Sequence, residues 1–359
     1  MSGTDDTVRV GLIGYGYAAK TFHAPMITAT PGLELVAVAS SRAADVHADH
    51  PGIEVVNADR LIARGDVDLV VIASPNDTHR PLAEAALRAG RHVAVDKPFT
   101  LSLQDARAVL ATADRCRRIV SVFQNRRWDS DYLGIKQVID DGLIGEVVHF
   151  ESHIDRFRPN PRDRWRENPG PGAGLWFDLG PHLADQALQL FGLPDAVTAD
   201  LASLRAGSRT DDWAHVLLDY PRRRVVLHAS MLAAGAHTRF VAHGTAGTVV
   251  KHGSDIQEDQ LKAGVSPGAP GWGEDPEEML LYDAAGRRHR LPTPAGDQLQ
   301  YYRELARAIT GYGPNPTPPQ EILAVMAVVD AAREAARTGH RAELALSQDE
   351  RAHWDQRPR

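Results

Sequence analysis

Lys97 stands at the end of an apolar segment, His92-Val93-Ala94-Val95-Asp96-Lys97-Pro98, in a chain that otherwise relies on arginine. Of the 40 Lys and Arg residues, five are lysines. A lysine can release its proton near neutral pH when its surroundings lower its pKa, whereas an arginine cannot. Lys97 is therefore a candidate for proton transfer. Taken alone, it is more simply explained as a surface lysine that follows a strand, and the motifs around it favour the functional interpretation.

A second candidate group is the segment Trp176-Phe177-Asp178-Leu179-Gly180-Pro181-His182. If this segment is helical, the four-residue spacing places Asp178 and His182 on one face. A carboxylate beside an imidazole can fix the tautomer and orientation of the ring. The alternative is that Asp178 caps the start of a helix and His182 belongs to the core.

The histidines match no recognised metal-ligand motif, so the sequence predicts no metal site. The pairs considered are His149 with His153 and His182 with Asp185.

A glycine-rich turn near the N-terminus has the pattern strand, G-x-G-x-x-A, helix over residues 8–19. Gly14 permits the tight turn, Gly16 lets the backbone approach a pyrophosphate, and Ala19 allows close helix–strand packing. The phosphates of a dinucleotide would then lie at the positive end of the helix. The predicted cofactor-binding residues in this turn are Gly14, Tyr15, Gly16, Tyr17 and Ala18.

The end of the second predicted strand indicates which dinucleotide is bound. An NAD-specific site usually offers a carboxylate there to the ribose 2′-hydroxyl. This chain has Ser40, Ser41 and Arg42 instead, and two hydroxyls with an arginine suit a 2′-phosphate. We predict NADP as the cofactor, with NAD binding more weakly. The alternative is that Arg42 is a solvated loop residue.

Polar residues also follow three successive strands, and ligands of a doubly wound sheet bind beyond these carboxyl ends. Together with the glycine-rich turn, they predict a nicotinamide-dependent dehydrogenase with a lysine, an aspartate and a histidine around the reacting carbon. The further residues expected to contact the cofactor are Ser74, Pro75, Asn76, His79, Asp96, Lys97, Pro98 and Asn125.

The hydrophobic pattern predicts two kinds of sheet. Nearly continuous Val/Ile segments at 8–13, 33–39, 67–73, 92–95 and 119–123, with a clear helix at 78–89, predict a Rossmann doubly wound parallel sheet. After about Asp129, apolar and polar residues alternate at 146–157, 196–204, 214–220, 224–232 and 238–244, which predicts a large, mostly antiparallel sheet with one open face. Further helices are expected at 132–139, 176–191, 298–309 and 320–337.

Length and composition limit the class of protein. A chain of 359 residues is long for one core, so we expect two domains, an NADP-binding domain at 1–128 and an α+β domain at 129–346, followed by a polar tail at 347–359. That the second domain serves substrate binding and oligomerisation is implied by the family resemblance described below. The net charge of −7 argues against nucleic-acid partners. The single Cys116 suits a reducing cytoplasm. The polar start is unlike a signal peptide, and no segment is apolar enough to span a membrane.

The chain resembles the Gfo/Idh/MocA oxidoreductases over nearly its whole length, with Asp96-Lys97-Pro98 in place of the family's Glu-Lys-Pro. It is most similar to the NADP-dependent scyllo-inositol dehydrogenase branch. The segments that carry this narrower resemblance are Gly14-Tyr15-Gly16, Phe22-His23-Ala24-Pro25, Asn125-Arg126-Arg127-Trp128-Asp129, Arg164-Trp165-Arg166-Glu167, Asp178-Leu179-Gly180 with His182, Gln257-Glu258-Asp259, Ala263-Gly264 and Trp272-Gly273.

The resemblance implies further properties. One late helix should return to the first domain, and the open sheet face should join subunits into a homodimer or homotetramer. The catalytic residues carry over to Lys97, Asp178 and His182. The residues implied to contact the substrate are Lys97, Arg126, Trp128, Arg156, Trp165, Arg166, Asp178 and His182.

The expected reaction is hydride transfer between nicotinamide and a secondary alcohol or ketone of a cyclic polyol or sugar, with scyllo-inositol and its inosose first. His182 would take the hydroxyl proton, Asp178 would orient it and Lys97 would stabilise the oxygen, although His182 and Lys97 could exchange roles. The alternatives are a dehydrogenase of another sugar, of glucose or deoxysugar type, and a non-enzymatic NADP-binding regulator.

Overall fold

The computed structural model describes residues 7–235 and 238–356. Besides short π and 3-10 turns, the strands in chain order are β1 (Val8–Ile13), β2 (Leu33–Ala39), β3 (Glu54–Val56), β4 (Leu69–Ile72), β5 (His92–Val95), β6 (Val120–Val122), β7 (Val147–Asp155), β8 (Ala196–Ala202), β9 (Trp213–Tyr220), β10 (Arg223–Ser230), β11 (Thr238–Gly244), β12 (Gly247–His252), β13 (Met279–Asp283) and β14 (Arg288–Leu291). The helices are α1 (Ala24–Ala29), α2 (Ala43–Asp49), α3 (Ala58–Ala63), α4 (His79–Arg88), α5 (Leu103–Cys116), α6 (Ser130–Asp140), α7 (Leu175–Phe191), α8 (Gln257–Lys262), α9 (Gln300–Ile309), α10 (Pro319–Thr338) and α11 (Gln348–Asp355).

The chain forms two compact units, and each is discontinuous in sequence. The first comprises the chain up to Asn125 together with Glu258–Trp272 and Gln298–Ile322. The second comprises Arg126–Gln257, Gly273–Asp297 and the chain from Leu323 onward. The predicted domain bounds, 1–128 and 129–346, are continuous, and only the resemblance implies that a late helix returns to the first domain. A hydrophobic pattern marks where one kind of sheet gives way to another but does not give the bounds of a returning segment.

The first unit contains a parallel sheet with strand order β3-β2-β1-β4-β5-β6. Its central strands have no exposed face, as the fully buried Val10, Val70 and Val93 illustrate. This explains their continuous Val/Ile composition. From β1 the chain adds β2 and β3 on one side of the sheet, and then adds β4, β5 and β6 on the other side, so that β1 and β4 are neighbours in the middle. Doubly wound sheets bind ligands at such a switch point.

The second unit contains an eight-stranded sheet with order β14-β13-β12-β11-β7-β10-β9-β8. All of its neighbouring pairs are antiparallel except β7 with β10. Alternate residues of β7, such as Phe150 and Ile154, are buried, while their neighbours stay partly exposed. Helix α7 packs on β10, β9 and β7, so the sheet has one covered and one more open face.

The predicted fold class, a Rossmann sheet followed by a mostly antiparallel sheet, is confirmed. Four predicted strands, β1, β2, β5 and β11, have the predicted bounds, whereas β4 and β7 are shorter because their ends turn into loops. The structure adds elements for which no bounds were predicted, namely α2, α3, α5, α8, β3, β12, β13 and β14, and all of these except the 14-residue α5 are short.

The segment predicted only as a polar tail contains helix α11. Ser347 and Glu350 form a reciprocal capping box at its start, and Trp354 is 2% exposed. One aromatic side chain thus anchors an otherwise polar helix, a contact that composition does not reveal. Residues 357–359 of the predicted tail lie outside the described residues. Across the described ranges, no helix combines the length and apolar character needed to cross a bilayer.

Candidate functional site

The two glycines of the glycine-rich turn in the first unit differ in backbone conformation and in the space around them. Gly14 has φ +94°, and a Cβ there would lie 2.6 Å from the carbonyl oxygen of Ala73. Gly16 needs no positive φ, and a Cβ there would meet no atom within 4 Å. Gly14 is therefore required by the fold, whereas the open space above Gly16 fits the approach of a pyrophosphate.

The turn continues into a π-helical segment, Ala19–His23, with Ala18 as its first flanking residue. π-Bulges of this kind are frequent at functional sites. Tyr15 is buried, its hydroxyl donates to Asp49 Oδ2 at 3.0 Å, and burial raises its pKa. Tyr17 is 54% exposed and its hydroxyl donates to Glu258 Oε1 at 2.6 Å. Tyr15 therefore supports the turn, while Tyr17 is accessible to a ligand.

The end of β2 carries no carboxylate, and its serines and arginine face solvent to different degrees. Ser41 and Arg42 are exposed, and the hydroxyl of Ser40 accepts a hydrogen bond from the backbone N–H of Arg42 at 2.9 Å. Within residues 7–235 and 238–356, no carboxylate forms a salt bridge with Arg42. Its guanidinium is thus available for an anion.

His79 links the loop after β4 to the loop after β5. Its Nε2 lies 3.0 Å from the carbonyl oxygen of Ser74, and its Nδ1 lies 2.9 Å from that of Pro98. Burial lowers the pKa of His79. Pro75 is exposed and Asn76 is buried at the start of a 3-10 turn. His79 therefore has a structural role in holding two of the predicted cofactor loops together.

Lys97 lies directly after β5, in a partly exposed position. Its backbone N–H donates to the buried carboxylate of Asp96 at 2.8 Å, and the Lys97–Pro98 peptide bond is cis. Asn125 is buried just after β6. The parallel strands β1, β4, β5 and β6 end at one edge of the sheet, so the predicted residues after them lie along that edge.

The four remaining lysines each pair with a carboxylate. The pairs are Lys20 with Asp49, Lys136 with Asp140, Lys251 with Asp275 and Lys262 with Glu258.

In the second unit, α7 carries Asp178 and His182 one turn apart, as predicted. The helix begins at Leu175 because Asp211 accepts hydrogen bonds from the first backbone N–H groups, including that of Trp176 at 2.7 Å. His182 is 5% exposed, and Asp178 is partly exposed. Because the helix begins at Leu175, Asp178 lies in its first turn, where the helix dipole stabilises the negative charge of the carboxylate.

The loop before α7 brings arginines to Asp178. Arg166 Nε lies 3.5 Å from Asp178 Oδ1, and the Arg166 guanidinium stacks 4.7 Å from the centre of the Trp165 ring. A small cavity beside Asp178 is lined by Arg164, Arg166, Glu167, Arg205 and Met231 among others.

The remaining predicted substrate residues are also in the second unit. Arg126 forms a 2.9 Å salt bridge with the buried Asp129. The backbone carbonyl of Trp128 accepts from Gln257 Nε2 at 3.1 Å. Arg156 follows β7, and its backbone N–H donates to the Ser230 carbonyl.

Three further residues support α7 without having been predicted as site residues. Arg127 binds Asp185 with two guanidinium nitrogens, and Gln186 donates to the Arg126 carbonyl at 2.8 Å. Asp185 and Gln186 follow His182 on the same helix. The signal available in the sequence was the polarity of Asp185 and Gln186 inside an otherwise apolar helix.

In the first unit, the structure also reveals a buried cluster that includes Asp96, the residue before Lys97. His23 Nδ1 lies 2.6 Å from the Tyr302 hydroxyl, and its Nε2 lies 3.9 Å from Asp96 Oδ1. Burial raises the pKa of Tyr302 well above its usual value. His23 belongs to one of the segments that carry the family resemblance, but the sequence predicts no role for it.

Comparisons with known proteins cover both units. Residues 8–124 match the Gfo/Idh/MocA model described as oxidoreductase family, NAD-binding Rossmann fold. Residues 136–344 match the model of the C-terminal alpha/beta domain of the same oxidoreductase family.

Similar proteins span almost the whole chain. The uncharacterized oxidoreductase YdgJ of Escherichia coli is 49% identical over 95% of this chain and 99% of its own length. The scyllo-inositol 2-dehydrogenase (NADP(+)) IolW of Bacillus subtilis is 32% identical over 92% of this chain and 94% of its own. A crystal structure of an oxidoreductase from Klebsiella pneumoniae is 53% identical, with a TM-score of 0.92 and 98% coverage of both chains.

Proposed function

Because the chain belongs to the Gfo/Idh/MocA oxidoreductase family, we propose that it interconverts a secondary alcohol and a ketone on a cyclic polyol or sugar with NADP(H). The observation that carries the proposal is the placement of Asp178 and His182 one turn apart at the start of α7. The preferred substrate is scyllo-inositol or its inosose, in line with the activity for which IolW is named.

The bound nicotinamide supplies the hydride chemistry, and the protein supplies position and proton transfer. His182 accepts the proton of the substrate hydroxyl, and Asp178 orients the imidazole. Lys97 hydrogen-bonds the same oxygen and stabilises negative charge during ketone reduction. The pH profile of kcat/KM tests whether His182 or Lys97 carries the proton. The ionisation of the proton carrier should disappear from the profile when that residue is substituted.

The preference for NADP rests on Ser40, Ser41 and Arg42. The exposed Arg42 and the serine hydroxyls suit a 2′-phosphate, and no carboxylate ends β2 to bond a free 2′-hydroxyl. NAD is expected to bind more weakly.

A neutral ring substrate is supported by how the arginines are paired. Arg126 pairs with Asp129, Arg164 with Glu167, and Arg166 lies 3.5 Å from Asp178. These carboxylates offset the positive charge that would otherwise select an anion. The flat faces of Trp128 and Trp165 suit the C–H bonds of a ring.

A second candidate, an acidic sugar, is favoured by Arg158. Burial lowers the pKa of this guanidinium, and the neighbouring positive charges of Arg156, Arg162 and Arg164 lower it further. An anionic substituent would relieve this repulsion. A uronate or a sugar phosphate is therefore the alternative substrate class.

The decisive experiment is a substrate panel of inositol isomers, inososes, aldoses, a uronate and a sugar phosphate, followed by nicotinamide absorbance with NADP(H) and NAD(H). We expect turnover of scyllo-inositol or an inosose with NADP(H). Lys97→Met should fold and bind NADPH but lose about 10²–10⁴ in kcat. Turnover of only the anionic sugars would replace the neutral-ring assignment, and a Lys97→Met variant within a few-fold of wild type would remove Lys97 from catalysis.

The proposed assembly is a cytoplasmic homodimer or homotetramer joined through the more open face of the eight-stranded sheet. Its support is the family's typical arrangement and the partly exposed apolar Leu217 and Val241 on that face. No nucleic-acid or membrane partner is proposed.

A further inference from the structure

A row of ionisable side chains runs along β7. His149, Glu151, His153 and Asp155 alternate with buried residues and share the more open face of the sheet. Strand β10 pairs with β7 in parallel register and places His228 directly beside His153. Two strands that are distant in sequence thus bring two imidazoles and a carboxylate together.

The three side chains converge on one point. Asp155 Oδ2 lies 3.7 Å from His153 Nδ1, and Asp155 Oδ1 lies 3.6 Å from His228 Nε2. One ligand atom from each residue lies within 4.8 Å of the others. Donor atoms bound at about 2.0–2.2 Å to a tetrahedral Zn²⁺ are themselves roughly 3.3–3.6 Å apart, so the two contacts of Asp155, made by its two different oxygens, are close to the spacing of ligands that share an ion.

Direct pairing explains the cluster less well. A hydrogen bond between nitrogen and oxygen requires about 2.7–3.2 Å, and both contacts of Asp155 are longer. Within the described ranges, the buried Oδ1 of Asp155 has no hydrogen-bond partner. The side chains of His153, Asp155 and His228 are only 21%, 14% and 15% exposed. A carboxylate oxygen so shielded from water needs a partner.

The surroundings orient His153 for coordination. Its Nε2 lies 2.8 Å from Glu151 Oε2, and the other oxygen of Glu151 lies 2.7 Å from His149 Nε2. When Nε2 carries the proton and donates it to Glu151, the lone pair of Nδ1 points towards Asp155. This is the carboxylate–histidine arrangement that supports many metal ligands.

We propose that His153, Asp155 and His228 bind a divalent transition metal of the Zn²⁺ class on the open face of the eight-stranded sheet. Imidazole is a borderline ligand that suits Zn²⁺ and Co²⁺, and a carboxylate oxygen is a common third ligand beside two imidazoles in zinc sites. The ion joins β7 to β10, and three protein ligands leave at least one coordination position open. The sequence predicted no metal, because the ligands come from two strands and form no local motif.

The test uses the full-length protein after removal of metal with a chelator. Titration with Co²⁺, followed by its visible absorption, should saturate at one ion per chain, and Zn²⁺ should displace it. His153→Ala and His228→Ala should each weaken binding at least ~100-fold, and Glu151→Gln by about 10–100-fold. His289→Ala is the matched control, because His289 lies 3.2 Å from Asp283 on other strands of the same sheet.

Thermal unfolding gives a second measurement, since an ion that binds only the folded state raises its stability. Zn²⁺ should raise the Tm of wild type and His289→Ala but leave that of Asp155→Asn unchanged. Circular dichroism without metal checks that each variant folds. The proposal is overturned if wild type shows no saturable binding up to ~100 µM metal, or if His153→Ala and His228→Ala bind as tightly as His289→Ala.

Discussion

At the scale of single residues, the two glycines of the glycine-rich turn are required for different reasons. A side chain at Gly14 would collide with the Ala73 backbone, whereas one at Gly16 would project into open space. The fold alone therefore accounts for Gly14 and leaves Gly16 to be explained by a ligand. The same reasoning applies to Arg42, whose exposed guanidinium forms no salt bridge with a carboxylate in the part of the chain that the structure describes.

Arg42→Ala should weaken NADPH binding roughly 10- to 100-fold and leave NADH binding nearly unchanged. A charge-assisted contact with phosphate contributes about 1.5–3 kcal/mol, and only NADPH carries the 2′-phosphate. Fluorescence titration with both cofactors measures this difference. Arg337→Ala, which removes an exposed arginine paired with Glu334, is the control. Equal losses for both cofactors, or a wild-type preference for NADH, would contradict the assignment.

At the scale of elements, helix α7 places Asp178 and His182, which are four residues apart in sequence, on one face one turn apart. Asp211 bonds its first turn, while Arg127 and Gln186 tie its middle to the segment after Asn125. These contacts restrict the rotation of the helix about its axis. They therefore determine the direction in which Asp178 and His182 project.

Asp178→Asn and His182→Asn should each lower kcat by about 10²–10⁴. The double variant should lose far less than the product of the two losses, because groups that act as one unit are not additive. Steady-state kinetics of all three variants on the substrate found in the panel tests this. Losses that multiply would mean that the two residues act independently.

The junction of β5 and β6 should make stability depend on pH. Burial, and secondarily the charge of Arg118, lower the pKa of His92 from 6.5 to about 4. Its Nδ1 accepts a hydrogen bond from the Ile119 backbone N–H at 3.1 Å, which requires the neutral ring. As pH falls below 6.5, the unfolded chain takes up the proton first, so the contribution of His92 is complete above that value and declines towards pH 4.

The free energy of unfolding should therefore fall by about 1–2 kcal/mol through His92 between pH ~7.5 and pH ~5. Urea denaturation at both pH values measures the total change. His92→Asn keeps an acceptor but does not titrate, so it should show a pH dependence smaller by that amount. An unchanged pH dependence in this variant would show that His92 is not responsible.

At the scale of the whole molecule, the eight-stranded sheet has an unequal distribution of side chains. One face is covered by α6 and α7, while the other presents the partly exposed Leu217 and Val241 near the histidine cluster. Leu217 and Val226 are directly paired across β9 and β10. Partly exposed apolar residues at the centre of a sheet are typical of a subunit interface.

Sedimentation velocity should therefore show a homodimer or homotetramer. Leu217→Glu should shift the protein towards monomer, because a charge at the centre of an interface is costly to bury. Leu204→Glu, at a residue 56% exposed beyond β8, is the control and should leave assembly unchanged. A wild-type monomer, or an unaltered oligomer in Leu217→Glu, would place the interface elsewhere or exclude it.

Features that depend on local pattern were predictable from the sequence. The Val/Ile composition of β1, β4 and β5 follows from burial on both faces, and the alternation in β7 follows from one covered face, so both sheets could be predicted. The turn at Gly14 and the spacing of Asp178 and His182 are likewise local. Their geometry needs only one strand end or one helical turn.

Features that join distant segments were decided by the tertiary structure alone. The assignment of Glu258–Trp272 to the first unit, the bonds of Arg127 to α7 and the burial of Trp354 all depend on which surfaces are complementary after the chain has folded. The convergence of His153 and Asp155 with His228 has the same origin. Strand pairing sets which residues become neighbours, and a pattern within one strand does not encode the register of its partner.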